Sequence, residues 1–175
     1  MRHYRQALVL IVALGLALRL ALAVILPPGY DESYYLFYGQ NLALSYFDHP
    51  LAVGLWAWLG LHLEPLTGGQ SVLALRLPGL LSYSAALVLL AEASRVWFGR
   101  RAALISAVLG SASPLLMACG GLLLLPDSPL ILLLSLLLWW LARHPLNEPR
   151  RARQSLLFGL ILGGLSLCKY HALLL

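Results

Sequence analysis

Apolar runs long enough to cross a lipid bilayer recur along this chain, and no other feature restricts its fold as severely. A spanning helix needs about 20 apolar residues. The first such run covers residues 7–26, is interrupted only by Arg19 and closes at Pro27-Pro28-Gly29. The second covers 72–97, with Pro78 near its start. Phe98-Gly99-Arg100-Arg101 predicts a tight turn into a third run, 102–119. A fourth covers 128–142, and after the polar, arginine-rich stretch 143–153 a fifth covers 155–175. The expected architecture is an all-α, polytopic membrane helix bundle of about five spanning helices. Composition agrees, because 61% of residues are apolar and 11% charged, against about a quarter charged in soluble domains. A soluble enzyme, a disordered tail and a nucleic-acid module are thereby excluded.

The net charge of +5 reflects membrane orientation, because its basic residues flank the apolar runs. Arg2 and Arg5 precede the first run, Arg100 and Arg101 follow the second, and Arg143, Arg150, Arg151 and Arg153 follow the fourth. With five spans these groups share one side, expected to be cytoplasmic, together with the amino terminus. Between Arg19 and Arg76 there is no Lys or Arg, while Asp31, Glu32, Asp48 and Glu64 all occur. The loop 27–71 is therefore expected outside. Ala21-Leu22-Ala23 resembles a signal-peptidase site, but the apolar run is longer than a signal core and continues past it, favouring an uncleaved span. Cys119 and Cys168 sit in apolar runs and read as small buried hydrophobes.

The outer loop is unusually aromatic: Tyr30, Tyr34, Tyr35, Tyr38 and Tyr46 are five of the eight tyrosines in the chain. The plain reading is an aromatic belt at headgroup level. The run 50–63 is too short to span, so two interfacial helices are expected over the outer mouth of the bundle.

Arg19, Asp127 and Lys169 are ionisable residues within or beside three different apolar runs. At about 1.5 Å rise per residue, Asp127 lies about 24 Å from Arg143, Lys169 about 24 Å from Arg153 and Arg19 about 21 Å from Arg5. In a hydrocarbon core about 30 Å thick, all three fall in the outer third, which predicts a polar pocket open to the outside. Against this, Arg19 and Lys169 could snorkel to the headgroups, and Asp127, in Pro126-Asp127-Ser128-Pro129, could merely cap a helix. Glu92 and Arg95 read as a structural pair, and Arg76 could snorkel or reach a phosphate.

Asp31-Glu32 after the first span, Tyr46-Phe47-Asp48-His49-Pro50, Arg76-Leu77-Pro78, Pro126-Asp127-Ser128-Pro129 and Lys169-Tyr170 occur in that order. The set resembles the amino-terminal part of the membrane-embedded GT-C glycosyltransferases, notably protein O-mannosyltransferases and lipid A aminoarabinose transferases. That resemblance implies transfer of a sugar from a polyprenyl-phosphate donor to a glycan, lipid or protein acceptor at the outer face of a membrane, expected to be a bacterial cytoplasmic membrane. Such enzymes have several hundred residues and more than ten spans, so this chain alone is expected to be an inactive amino-terminal part. His49 departs from relatives that carry Lys beside the proline.

The chemistry of the residues points the same way. Glycosyl transfer needs a base for the acceptor proton and cations for the departing phosphate. Asp31 is the expected base, with Glu32 as second choice and Asp127 as a further catalytic carboxylate. Asp48 is expected to orient substrate, while His49, Lys169 and Arg76 hold the lipid phosphate. Carboxylates with His49 could also take a divalent cation, but no metal or other cofactor is assigned. The competing readings are a multi-pass transporter, for which no internal repeat is visible, and a non-catalytic scaffold subunit.

Overall fold

The computed structural model describes residues 2–146 and 151–174. Among them lie seven α-helices: α1 (Arg2–Ile25), α2 (Tyr30–Gln40), α3 (Leu51–Leu63), α4 (Ser71–Ala112), α5 (Pro114–Gly121), α6 (Asp127–Arg143) and α7 (Ala152–Ser166). Short 3₁₀ turns follow α3 and α7, at Glu64–Thr67 and Tyr170–Leu174. The all-α expectation holds. Two helices, α1 and α4, are long and apolar enough to cross a membrane.

α4 is a hairpin. Gly99 breaks its helix with φ 88° and ψ 178°, a backbone region open essentially to glycine alone. The second arm folds back along the first, so that Tyr83 Oη donates to the Gly110 carbonyl at 2.7 Å and Ala91 packs with Ala103 and Ala107. Small residues let the two backbones approach, which is how helices associate where lipid removes the hydrophobic driving force. A side chain at Gly110 would collide with Leu87. The hairpin is the hub of the bundle, packing against α1, α3, α5 and α6.

The buried residues of α1, namely Tyr4, Leu8, Gly15, Arg19 and Ala23, form one stripe at helical spacing. Its other faces carry exposed Val9, Leu10, Leu14, Leu18 and Val24. A helix apolar all round fits contact with lipid.

The expected runs and the observed helices differ at two places. The run 102–119 is not one helix: α4 stops at Ala112, Ser113 is extended (φ −70°, ψ 115°), and Pro114 starts α5. Proline lacks the N–H that continued helix requires and pushes its predecessor out of helical geometry. The run 155–175 also stops early, at Ser166. Gly163 and Gly164 weaken its end, and the freed Leu167 carbonyl accepts from the Ala52 amide of α3 at 3.0 Å. Segment 27–71 holds two short helices, as expected. The tyrosines of α2 do not form a uniform belt, however: Tyr30 is exposed, whereas Tyr35 and Tyr38 are buried with Val53, Ala57, Leu75 and Leu124.

Candidate active site

α2 begins at Tyr30 and opens with two adjacent carboxylates of different fate. Asp31 is exposed, with no hydrogen bond or ion pair to any described residue. Glu32 turns inward and is 1% exposed.

There Glu32 meets Arg76 in a two-pronged pair, Nε to Oε1 at 2.8 Å and Nη2 to Oε2 at 2.7 Å. Arg76 is fully buried, and its other N–H groups donate to the carbonyls of Ala23, Leu26 and Pro27 at 2.8–2.9 Å. Ala23 is one of the carbonyls left without an intrahelical partner at the end of α1, and Leu26 and Pro27 follow directly after it. Glu32 in turn accepts from the Gly29 amide at 2.8 Å and the Leu124 amide at 3.1 Å. Burial opposes ionisation of Glu32, but Arg76 and the two amides outweigh it and hold its pKa below the ordinary value. All five guanidinium donors are thus occupied. Arg76 reaches neither headgroup nor solvent, and Glu32 has no free oxygen with which to act as a base.

The second group gathers at the same end of the bundle. Asp127 opens α6 but makes no side-chain cap. Its carboxylate instead binds Lys169, with Nζ at 3.0 and 3.3 Å from the two oxygens, each side chain being just over a quarter exposed. The shortened α7 makes this possible, because Lys169 lies in the turn beyond Ser166. Asp127 and Lys169 thus meet, although Lys169 lies beyond the helix end and not on the continuous helix that the rise arithmetic assumed.

Arg19 does not join them. It is fully buried, donates to Ser84 Oγ at 3.0 Å and lies over the Tyr83 ring at 4.9 Å, so it neither snorkels nor lines the outer pocket. Glu92 and Arg95 are the structural pair expected, 2.9 Å apart.

Asp48 and His49 sit in the α2–α3 connection, which Tyr46 clasps. Its ring stacks on Tyr38 at 3.8 Å, its amide donates to the His49 carbonyl at 2.9 Å, and its hydroxyl occupies the space a side chain at Gly54 would need. Asp48 accepts from the Tyr38 hydroxyl in a very short hydrogen bond. An ionised carboxylate only accepts, so the one Tyr38 proton goes to Asp48, and Tyr34 donates to Tyr38 over 2.6 Å. His49 Nε2 is 3.8 Å from Asp48, and its Nδ1 is enclosed without a partner. Burial lowers the His49 pKa and Lys169 and His171 add to this, against the pull of Asp48 and Asp127. The resting imidazole is neutral. Among the described residues no three His, Cys, Asp or Glu side chains converge as metal ligands.

The two pairs, Asp48–His49 and Asp127–Lys169, lie within electrostatic reach of one another at His49, and Asp31 acts with Asp48 and Asp127 on neighbouring Tyr35. Residues 48–175 match the family described as dolichyl-phosphate-mannose-protein mannosyltransferase. The chain belongs to this family. No curated protein and no solved structure matches it. The matched region of this mannosyltransferase-family chain contains Asp48, His49, Arg76, Asp127 and Lys169, while Asp31 and Glu32 precede it. Membership implies a polyprenyl-phosphate-linked sugar donor and an acceptor.

Proposed function

We propose that this chain carries the outer-face catalytic site of a glycosyltransferase that moves a sugar from a polyprenyl phosphate to an acceptor hydroxyl or phosphate. The observation that carries the reading is the convergence of Asp48, His49, Asp127 and Lys169 at one end of the bundle in a member of this family. Asp31 takes the acceptor proton. The acceptor oxygen then bonds to the anomeric carbon as the bond from that carbon to the phosphate oxygen breaks, and the electron pair leaves with the phosphate. Lys169 holds that anion: an ammonium has three N–H donors, so it can bind a phosphate while keeping Asp127. His49 gains a proton as the phosphate arrives, because an anion favours imidazolium. Asp48 and Asp127 place the substrates and balance the positive charge that develops on the sugar.

Glu32 and Arg76 serve the site by position. They pin α2 to α1 and α4, so that Asp31 has a defined height above Lys169. Beside them a cleft of about 340 Å³, with Pro28, Leu36, Leu61, Val72 and Leu75 on its walls and Ser33, Gln40, Glu64 and Ser71 also lining it, takes the first units of the isoprenoid chain along its apolar walls. The reading includes about five membrane crossings, a cytoplasmic amino terminus, α2 and α3 in the outer headgroup layer, and residence in a bacterial cytoplasmic membrane. Asp31→Asn in the full-length protein tests the chemistry. Asparagine keeps size and hydrogen bonding without the base, so mannosyl transfer should fall at least about a hundredfold while donor binding survives. Near-normal transfer would remove Asp31 from the mechanism.

A further inference from the structure

Tyr35 lies beside His49 and Tyr38, at the edge of the apolar core of α2 and α3, with its hydroxyl unused. The residue is 6% exposed, set edge-on to His49 at 5.5 Å and packed against Tyr34 and Tyr38 at 5.6 and 5.8 Å. Its neighbours all use their hydroxyls: Tyr34 and Tyr38 in the chain to Asp48, Tyr46 in a bond to the Tyr38 carbonyl at 3.0 Å. The Tyr35 hydroxyl bonds to no described residue, yet it is not among the polar atoms sealed from solvent. A buried phenol normally finds a partner. The Tyr35 ring sits beside Tyr38, which bonds to Asp48, and beside His49, 3.8 Å from the same carboxylate, and burial with nearby Asp48, Asp31 and Asp127 pushes its pKa up to about 12. It stays protonated and is a donor at any physiological pH.

The ligand that fits this set must both donate and accept. Carboxylates only accept, so Asp31, Asp48 and Asp127 can satisfy hydroxyl protons but leave hydroxyl lone pairs without donors. A phosphate is the wrong partner for a phenol among three anions, and Lys169 with His49 supplies a better place for it. A sugar hydroxyl, donating to a carboxylate and accepting from the phenol, completes the set. We propose that the Tyr35 hydroxyl donates a hydrogen bond to a hydroxyl oxygen of the donor's sugar, making Tyr35 a residue that selects the sugar rather than the lipid phosphate. The proposal rests on the glycosyltransferase reading.

The test compares two probes on the full-length protein: a short polyprenyl phosphate mannose and the same polyprenyl phosphate without sugar. Tyr35→Phe keeps the ring and its packing. It should weaken binding of the mannosylated lipid about tenfold and leave the bare lipid phosphate unchanged. Mannosyl donors with single hydroxyls replaced by hydrogen give an arm that needs no variant. One of them should lose the same factor on the unaltered protein and lose nothing further on Tyr35→Phe. No loss, an equal loss for both lipids, or deoxy donors that all bind like the parent would overturn the proposal. If the unaltered protein binds neither lipid, the glycosyltransferase reading itself fails, a result distinct from the others.

Discussion

Replacing Glu32 by Gln should unfold much of what holds the outer layer to the bundle. Glutamine has nearly the same shape, so the effect isolates charge and hydrogen-bond polarity. Each oxygen of Glu32 accepts two bonds: Oε1 from Arg76 Nε and the Leu124 amide, Oε2 from Arg76 Nη2 and the Gly29 amide. Whichever way the amide turns, its NH₂ faces two donors where an acceptor stood. Arg76 stays charged, because guanidinium does not deprotonate in proteins, and it is fully buried. Breaking one side of a buried pair costs about 3–5 kcal/mol. That is a large share of the about 5–15 kcal/mol that holds a typical domain together. Equilibrium unfolding in mixed micelles would measure it for Glu32→Gln, Glu32→Met, Arg76→Met and the double variant Glu32→Met/Arg76→Met. The double variant should lose clearly less than the sum of the two single methionine losses. A loss below about 1 kcal/mol for Glu32→Gln, or strictly additive losses, would refute the account of this pair as the structural clamp.

Further expectations concern topology and His49. In a background without Cys119 and Cys168, an impermeant thiol reagent applied to intact cells should label Leu66→Cys and spare Leu146→Cys, both exposed positions; the reverse pattern would invert the orientation and bury the proposed site in the cytoplasm. For His49, lysine should retain clearly more transfer activity than alanine, and chelator should change little, because a cation is what the donor phosphate requires. Equal losses in both variants, with activity abolished by chelator and restored by added cation, would indicate a metal site instead. The depressed pKa of His49 also gives a stability slope. An unfolded histidine titrates near about 6.5 and binds a proton the folded one refuses, so this contribution is complete above that pH and is lost as pH falls through the folded value. Thermal melts of His49→Gln from pH 7.5 down to pH 5 should decline less than those of the unaltered protein, and parallel declines would exclude His49 as the source.

Hydropathy and turn chemistry carried much of the fold. Gly99 between two apolar runs, with two arginines after it, announced the α4 hairpin, whereas Asp127 and Lys169 meet through a turn after Ser166 that the helix-rise arithmetic did not include. Pro114 was equally visible and breaks the third run, since an apolar average hides a single missing N–H. The end of α7 was not legible, because its diversion depends on a tertiary bond from Ala52 to Leu167. Asp31 and Glu32 look alike as neighbours in a sequence. Only tertiary partners, Arg76 and the Leu124 amide on Glu32, separate the clamped carboxylate from the free one, since helix register sets Asp31 no farther than Glu32 from buried Tyr35 and Tyr38. Arg19 misled because depth along a helix says nothing about which way the side chain faces; it lies against Ser84 and Tyr83.

The Glu32–Arg76 pair also has an order in time. Synthesis runs from the amino terminus, so Ala23, Leu26, Pro27 and Glu32 are all made before Arg76. The two charges are not equivalent while they wait. A carboxylate entering an apolar setting alone can take up a proton and become neutral, whereas a guanidinium cannot shed its own. With the acid made first, most of the acceptors for Arg76 already exist when it emerges, and the cation is never buried ahead of its counterion. Exchanging the two, with Arg at position 32 and Glu at position 76, would keep the same charges in the finished protein while sending the permanent cation in first. The cost of that exchange would fall on biogenesis, in the yield of inserted protein, before it appeared in the stability of the molecules that succeed.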